Sequence, residues 1–130
     1  MEKESIDKIP RFLMNGPVMA VSSHSSPREE FDLRKAIVGK LEEFRHEVKD
    51  LNLTDLMEDP ERFDSFLREY GEKTLVLTEL QLVGNHLITK RIRELVIGGK
   101  RLVLVTNGMN DGNDPYLASM RARMRIVIEV

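Results

Sequence analysis

The 130-residue chain has no cysteine and no tryptophan, and aromatic residues make up only 5% of it. Without thiols there is no disulfide staple, no thiolate metal centre and no cysteine nucleophile. No stretch approaches the ~20 apolar residues that a membrane-spanning helix needs. The first seven residues carry three acids and no apolar run, which is not the pattern of a secretory signal. An excess of one charge is missing too. Twenty Lys and Arg against 22 Asp and Glu leave a net charge of -2, so nothing general favours direct nucleic-acid contact or attachment to a membrane. Internal repeats and low-complexity segments are absent. The expectation is a cytoplasmic protein with no membrane partner and no direct nucleic-acid partner.

What is present is the composition of an ordinary globular domain, 41% apolar and 32% charged, in a chain long enough to bury one core. Its centre is Lys73-Thr74-Leu75-Val76-Leu77-Thr78-Glu79. Three consecutive large aliphatic residues between threonines read as a strand buried on both faces, the signature of a parallel sheet. Ligands in open parallel sheets gather beyond the C-terminal strand ends. Thr78 and Glu79 are therefore the first residues to question.

Residues 1–16 read as a polar N-terminal lead-in, with Phe12, Leu13 and Met14 as an apolar patch that covers a sheet edge or docks a partner. Residues 17–130 read as a single α/β domain. Val18 to Val21 is the first strand, entered through Asn15-Gly16-Pro17. After a serine-rich loop, Ser26, Pro27 and Glu29 form a helix-start signal, and the helix runs to about Arg45 with Phe31, Leu33, Ile37, Leu41 and Phe44 on its inner face. A weaker edge strand falls within residues 47–53. A helix from Pro60 to Gly71 follows, with Phe63, Phe66, Leu67 and Tyr70 as its stripe. Beyond the central strand come a helix from about His86 through Val96, with Leu87, Ile88, Ile92, Leu95 and Val96 inside, and a strand from Arg101 to Val105. A short helix from Pro115 to Arg123 and a last strand from Ile126 to Val130 complete the order. Alternating strands and helices with right-handed crossovers predict a three-layer α/β fold: a mostly parallel five-stranded sheet with helices on both faces.

The loop Ser22-Ser23-His24-Ser25-Ser26-Pro27-Arg28 joins a strand to a helix, the place of a phosphate cradle. Ser22, Ser23, Ser25, Ser26 and Arg28 are thus candidates for an anion or nucleotide, against the plainer role of a turn whose Ser26 caps the helix. The loop has no glycine, which a tight phosphate-binding path requires. Glu79 is a candidate general base, but Thr78 stands where a magnesium-holding carboxylate would be needed. Thr106 and Asn107, at the end of the next strand, are candidates for hydrogen bonds to a ligand, and Asn107-Gly108 also reads as a simple turn. His24, His46 and His86 have no metal-ligand spacing, so no metal is expected. Arg121, Arg123 and Arg125 alternate along a basic edge that serves equally to blunt an edge strand.

In succession these strand tips resemble the α/β subdomain of the AAA+ superfamily, a P-loop NTPase-like fold. The similarity is greatest to the ATPase domain of sigma-54-dependent enhancer-binding transcription activators. Their loop GESGTGKE is matched by residues Ser22 to Glu29, and their TLFLDE by Thr74 to Glu79. Their strand ending in TN is matched by Val105-Thr106-Asn107, and FREDLYYRLNV resembles Tyr116 to Ile126, with Met120 and Arg123 at matching positions. The departures fall on the chemistry. The loop glycines are gone, Arg28 replaces its Lys, Thr78 replaces the magnesium-associated Asp, and Leu117 stands for the first Arg of the later segment. The family's GAFTGA loop has no counterpart between Leu53 and Lys73, and the helical lid has none either. The resemblance implies a degenerate, shortened domain that has kept the scaffold and lost the motor. A non-enzymatic role through a protein partner, regulatory in transcription or in assembly, follows, with self-association into a homo-oligomer as a further implication. ATP, ADP or phosphate bound without hydrolysis is the alternative, and a hydrolase using Glu79 is a third. No cofactor is otherwise implied.

Overall fold

In a computed structural model, the structure describes residues 6–22, 27–56, 59–78, 86–107, 115–124 and 126–129. The elements are helix α1 (Ile9–Phe12) running into a 3-10 turn (Leu13–Asn15), strand β1 (Val18–Ser22) and helix α2 (Pro27–Glu43). Then come β2 (Val48–Asn52), a 3-10 turn (Leu53–Leu56), α3 (Pro60–Tyr70), β3 (Thr74–Thr78), α4 (His86–Ile97), β4 (Leu102–Asn107), α5 (Pro115–Arg123) and β5 (Ile126–Glu129).

The strands form one parallel sheet in the order β2-β3-β4-β1-β5. From β1 the chain moves to the far edge at β2, then returns strand by strand in the opposite sense. Right-handed crossovers therefore put α2 on one face and α3, α4 and α5 on the other. The core divides in the same way. Ile88, Ile92, Phe63 and Met120 pack with Met19, Leu75, Leu77, Leu102 and Leu104. Leu33, Ile37 and Leu41 pack with Val18, Ala20, Val76, Val103 and Val105. All five residues of β3 are buried, as the unbroken apolar run predicts. The weaker β2 lies at an edge, and Lys49 covers the ring of Tyr70 there at 4.5 Å.

The helix stripes are narrower than expected. On α2 only Leu33, Ile37 and Leu41 are fully buried, whereas Phe31 is 48% and Phe44 59% exposed. Phe31 lies two residues before Leu33, about 200° round the helix, and rests beneath Arg34 and Lys35. Phe44 lies just past the last helical residue, where the chain has begun to turn. Leu87 on α4 is likewise exposed, one step off the line of Ile88 and Ile92. The N-terminal segment also departs from expectation. Leu13 is buried with Ile6 and Ile9 against the α2 face, and Phe12 is half-buried there. Only Met14 of that patch faces solvent, so Leu13 is core and not a docking residue. Lys40 on α2 bridges Asp7 at 3.1 Å and Glu43 at 2.7 Å, pinning the segment.

Two helices end alike. After α2, Arg45 N–H donates to Glu42 O and His46 N–H to Leu41 O, with Arg45 at φ 65°. After α4, Gly99 N–H donates to Val96 O and Lys100 N–H to Leu95 O, with Gly99 at φ 72°. Both are Schellman caps, whose left-handed residue is ordinarily glycine. Arg45 is the exception. In the middle of α2 the reverse holds: Gly39 sits exposed in regular helix, and a Cβ there meets nothing within 4 Å. Gly39→Ala is expected to raise stability by about 0.5–1 kcal/mol, read as an increased urea midpoint with an unchanged slope.

Candidate functional site

The reversal of chain direction in the sheet falls between β1 and β4. Helix α2 leaves the end of β1 on one face, and the chain beyond neighbouring β4 leads to α5 on the other. That is a topological switch point, where ligands of open α/β sheets bind. The strand register puts Ser22 opposite Asn107 and Val21 opposite Thr106 across this pair. Thr78 ends β3, on the other side of β4, and pairs with Asn52 of β2. At ~4.8 Å between strands it stands about 10 Å from β1. Arg28 is the second residue of α2, on the loop's helical side.

Thr78 and Thr106 are both buried, 4% and 1% exposed. They do not converge. The two-residue alternation sends Thr78 to the face of Val76, toward α2, and Thr106 to the face of Leu104, toward α4. The Thr78 hydroxyl donates sideways to Leu51 O at a long 3.5 Å, tying β3 to the edge strand. Asn52, which the sequence did not single out, caps the end of β2: its Oδ1 accepts from Thr54 N–H at 2.9 Å and from the Thr54 hydroxyl at 2.6 Å. Thr106 and Asn107 belong to β4 itself, which runs two residues past the expected end at Val105, and the Asn107-Gly108 turn falls outside the described residues at Gly108. Ser23, His24, Ser25, Ser26, Glu79 and Gly108 lie outside the described residues. Among the described residues no three His, Cys, Asp or Glu side chains are placed to share a metal ion. No helix among them is long and apolar enough to cross a membrane.

A second polar recess lies at the opposite, N-terminal ends of the strands. It measures about 410 Å³ and is lined by Arg45, His46, Glu47, Glu72, Thr74 and Arg101. Backbone bonds fix its walls: Thr74 N–H donates to Glu47 O at 2.8 Å, and Leu75 N–H to Arg101 O at 3.2 Å. His46 Nδ1 lies 2.9 Å from the Thr74 hydroxyl. Burial holds His46 below its ordinary titration range, and the neighbouring Arg101 charge pushes the same way. Nothing in the sequence flagged this recess, because its residues come from three separate strand entries that only the sheet order unites.

No protein-family model matches the chain, and no curated protein matches it. Solved structures do. The Rhizobiales Trip13 structure superposes with a TM-score of 0.64 at 14% identity, over 98% of this chain and 59% of that one. The RuvB Holliday junction branch migration motor of Thermotoga maritima gives 0.61 at 15% identity, over 100% of this chain and 45% of that one. Saccharomyces cerevisiae Rif2 gives 0.53 at 12% identity, over 98% and 59%. The chain thus spans roughly half the length of the proteins it resembles. These likenesses show a P-loop NTPase/AAA+-like three-layer α/β fold. They do not single out the sigma-54 activators within it.

The lowered His46 pKa has a definite consequence for stability. Between its folded value and the ordinary 6.5, the unfolded chain binds more protons than the folded one, so stability is lost as pH falls below about 6.5. His46→Gln is expected to reduce the fall in denaturation midpoint between pH 7 and pH 5 relative to the unaltered chain. Equal slopes for the two proteins would show that His46 contributes nothing.

Proposed function

We propose that this chain is a non-catalytic AAA+-like domain that acts in the cytoplasm by protein–protein contact, as a regulatory or assembly component. The observation that carries this reading is Thr78. A P-loop NTPase needs a carboxylate at the end of this strand to hold its magnesium ion. Here the residue is uncharged, 4% exposed, and its hydroxyl is turned to the carbonyl of Leu51. The glycine-free loop from Ser22 to Glu29 supports the same reading, since a side chain at each position obstructs the tight backbone path around phosphates. The succession of strand tips favours kinship with sigma-54-dependent activators and a role in transcription, and self-association through the same scaffold belongs to this reading.

A second reading, nucleotide or phosphate binding without hydrolysis, is favoured by the pairing of Ser22 with Asn107 at the switch point and by Arg28 in the first turn of the 17-residue helix α2. The N-terminus of such a helix attracts anions. A hydrolase using Glu79 as general base is the third reading; the residue beside that carboxylate is uncharged Thr78, where a magnesium-holding Asp would be needed.

Titration calorimetry of the whole chain with ATP and ADP, with and without magnesium, separates these readings. The non-catalytic reading expects no ATP turnover above the uncatalysed rate, and Thr78→Asp is expected to leave that unchanged. Saturable Mg-ATP binding with turnover overturns it. If nucleotide binds without turnover and Arg28→Ala abolishes the heat, the second reading stands. For the partner, affinity purification at native abundance is expected to retain one protein in fixed stoichiometry with unaltered and Arg28→Ala chains alike. No retained protein in either case counts against the interaction role.

A further inference from the structure

The recess at the base of the sheet has features that the fold does not require. Arg45 occupies the left-handed position of a Schellman cap, where a side chain costs roughly 1 kcal/mol relative to glycine. The same cap at the end of α4 uses Gly99. Strained non-glycine residues of this kind concentrate at ligand sites. Among the described residues neither Arg45 nor Arg101 makes an ion pair, although Glu47 and Glu72 line the same recess. The backbone of Arg101 is held by Leu75, and the His46 ring by Thr74, so three basic side chains project from fixed anchors.

The charges around His46 come from every segment that meets there. Arg45 and Glu47 flank it, Glu72 precedes β3, and Lys100 and Arg101 precede β4. Lys100 Nζ is already committed to the Lys73 carbonyl at 2.9 Å, and Lys73 lies over the Tyr70 ring. Burial and the Arg101 charge lower the Lys100 pKa, with Glu72 opposing them. The lining itself holds two guanidinium groups and two carboxylates, balanced with His46 neutral and one positive charge in excess with His46 protonated, while Lys100 stands outside it. The excess is small, which suits an anion of low charge.

We propose that this recess binds a phosphate group, inorganic or as a small monoester, between the guanidinium groups of Arg45 and Arg101, with His46 taking up a proton as the anion enters. A tetrahedral phosphate has enough acceptor oxygens for two guanidinium forks and an imidazolium, whereas a carboxylate has two. A recess of about 410 Å³ leaves room for the rest of a small monoester. Glu47 and Glu72 disfavour a polyphosphate. Binding and protonation favour each other reciprocally, so affinity rises as pH falls. The site lies at the opposite end of the strands from the switch point, and it stands whichever reading of that end holds.

The test follows the His46 ring resonances of the whole chain while inorganic phosphate or glycerol phosphate replaces chloride at constant ionic strength. Saturable shifts are expected at pH 6, with affinity about 5- to 10-fold weaker at pH 8 and an upward shift of the His46 titration in bound protein. A response to glycerol phosphate stronger than to phosphate assigns the site to monoesters, and the reverse assigns it to the free ion. Arg101→Gln is expected to abolish the response. Arg45→Gly is the sharper variant: it keeps the cap, raises the denaturation midpoint, and loses the phosphate response. Arg28→Ala is expected to leave the response intact. The proposal is overturned if Arg45→Gly and Arg101→Gln respond as the unaltered chain does, if Arg28→Ala alone removes the response, or if no saturable shift occurs below about 20 mM phosphate, a binding free energy of only ~2.3 kcal/mol.

Discussion

The double-sided burial of β3 and β4 is the constraint on which the rest of the structure depends. A parallel strand hydrogen-bonded on both sides and apolar on both faces is stable only if helices cover each face. That requires the chain to travel both ways from its first strand. It goes out to β2 through α2 and comes back through α3, α4 and α5, which divides the core into two aliphatic layers. The switch point between β1 and β4 is a by-product of that reversal and belongs to the sheet order, whatever residues stand there.

This explains how much of the molecule is legible in the sequence. Leu75-Val76-Leu77 and Leu102 to Val105 are apolar without interruption, so their strand character and burial follow directly. Asp59 followed by Pro60 and Glu61 marks a helix start, and Asp59 does accept from Glu61 and Arg62 N–H. Faces are harder. Phe31 and Leu87 are apolar but lie off the narrow line of i, i+4 residues that touches the sheet, and hydrophobicity alone does not distinguish them from Leu33 or Ile88. The end of α2 is expected near Arg45 and falls at Glu43, but the form of its cap is not legible in the sequence. A Schellman cap is recognised by its glycine, and here the position is Arg45.

The candidate site divides along the same lines. Strand ends are legible to within a residue or two: Thr78 closes β3 as the pattern predicts, whereas β1 and β4 run on to Ser22 and Asn107, past the expected Val21 and Val105. Which face each serves depends on pleat parity and on neighbours remote in sequence, and that separates Thr78 from Thr106. The base recess was invisible because Arg45, His46, Thr74 and Arg101 share no local motif. Their proximity follows from three strands entering the sheet side by side. Polar side chains thus gather at both ends of the sheet: one end is expected from the sheet order, and the other arises from strand entries and a helix cap made without glycine.

The register of β1 also governs the order in which the chain can be assembled. β2 and β3 are joined by a 3-10 turn and the helix α3, and can pair as soon as both exist. Of the described strands β1 is made first, yet among them its partners are β4 and β5. During synthesis Val18-Met19-Ala20-Val21 must therefore remain without a sheet neighbour until residues 102–107 have emerged. Such long-range pairing is the slow step of parallel sheets, and it leaves an apolar strand open to other chains in the interval. A strand that is interior to the finished sheet is thus an open edge in the unfinished one.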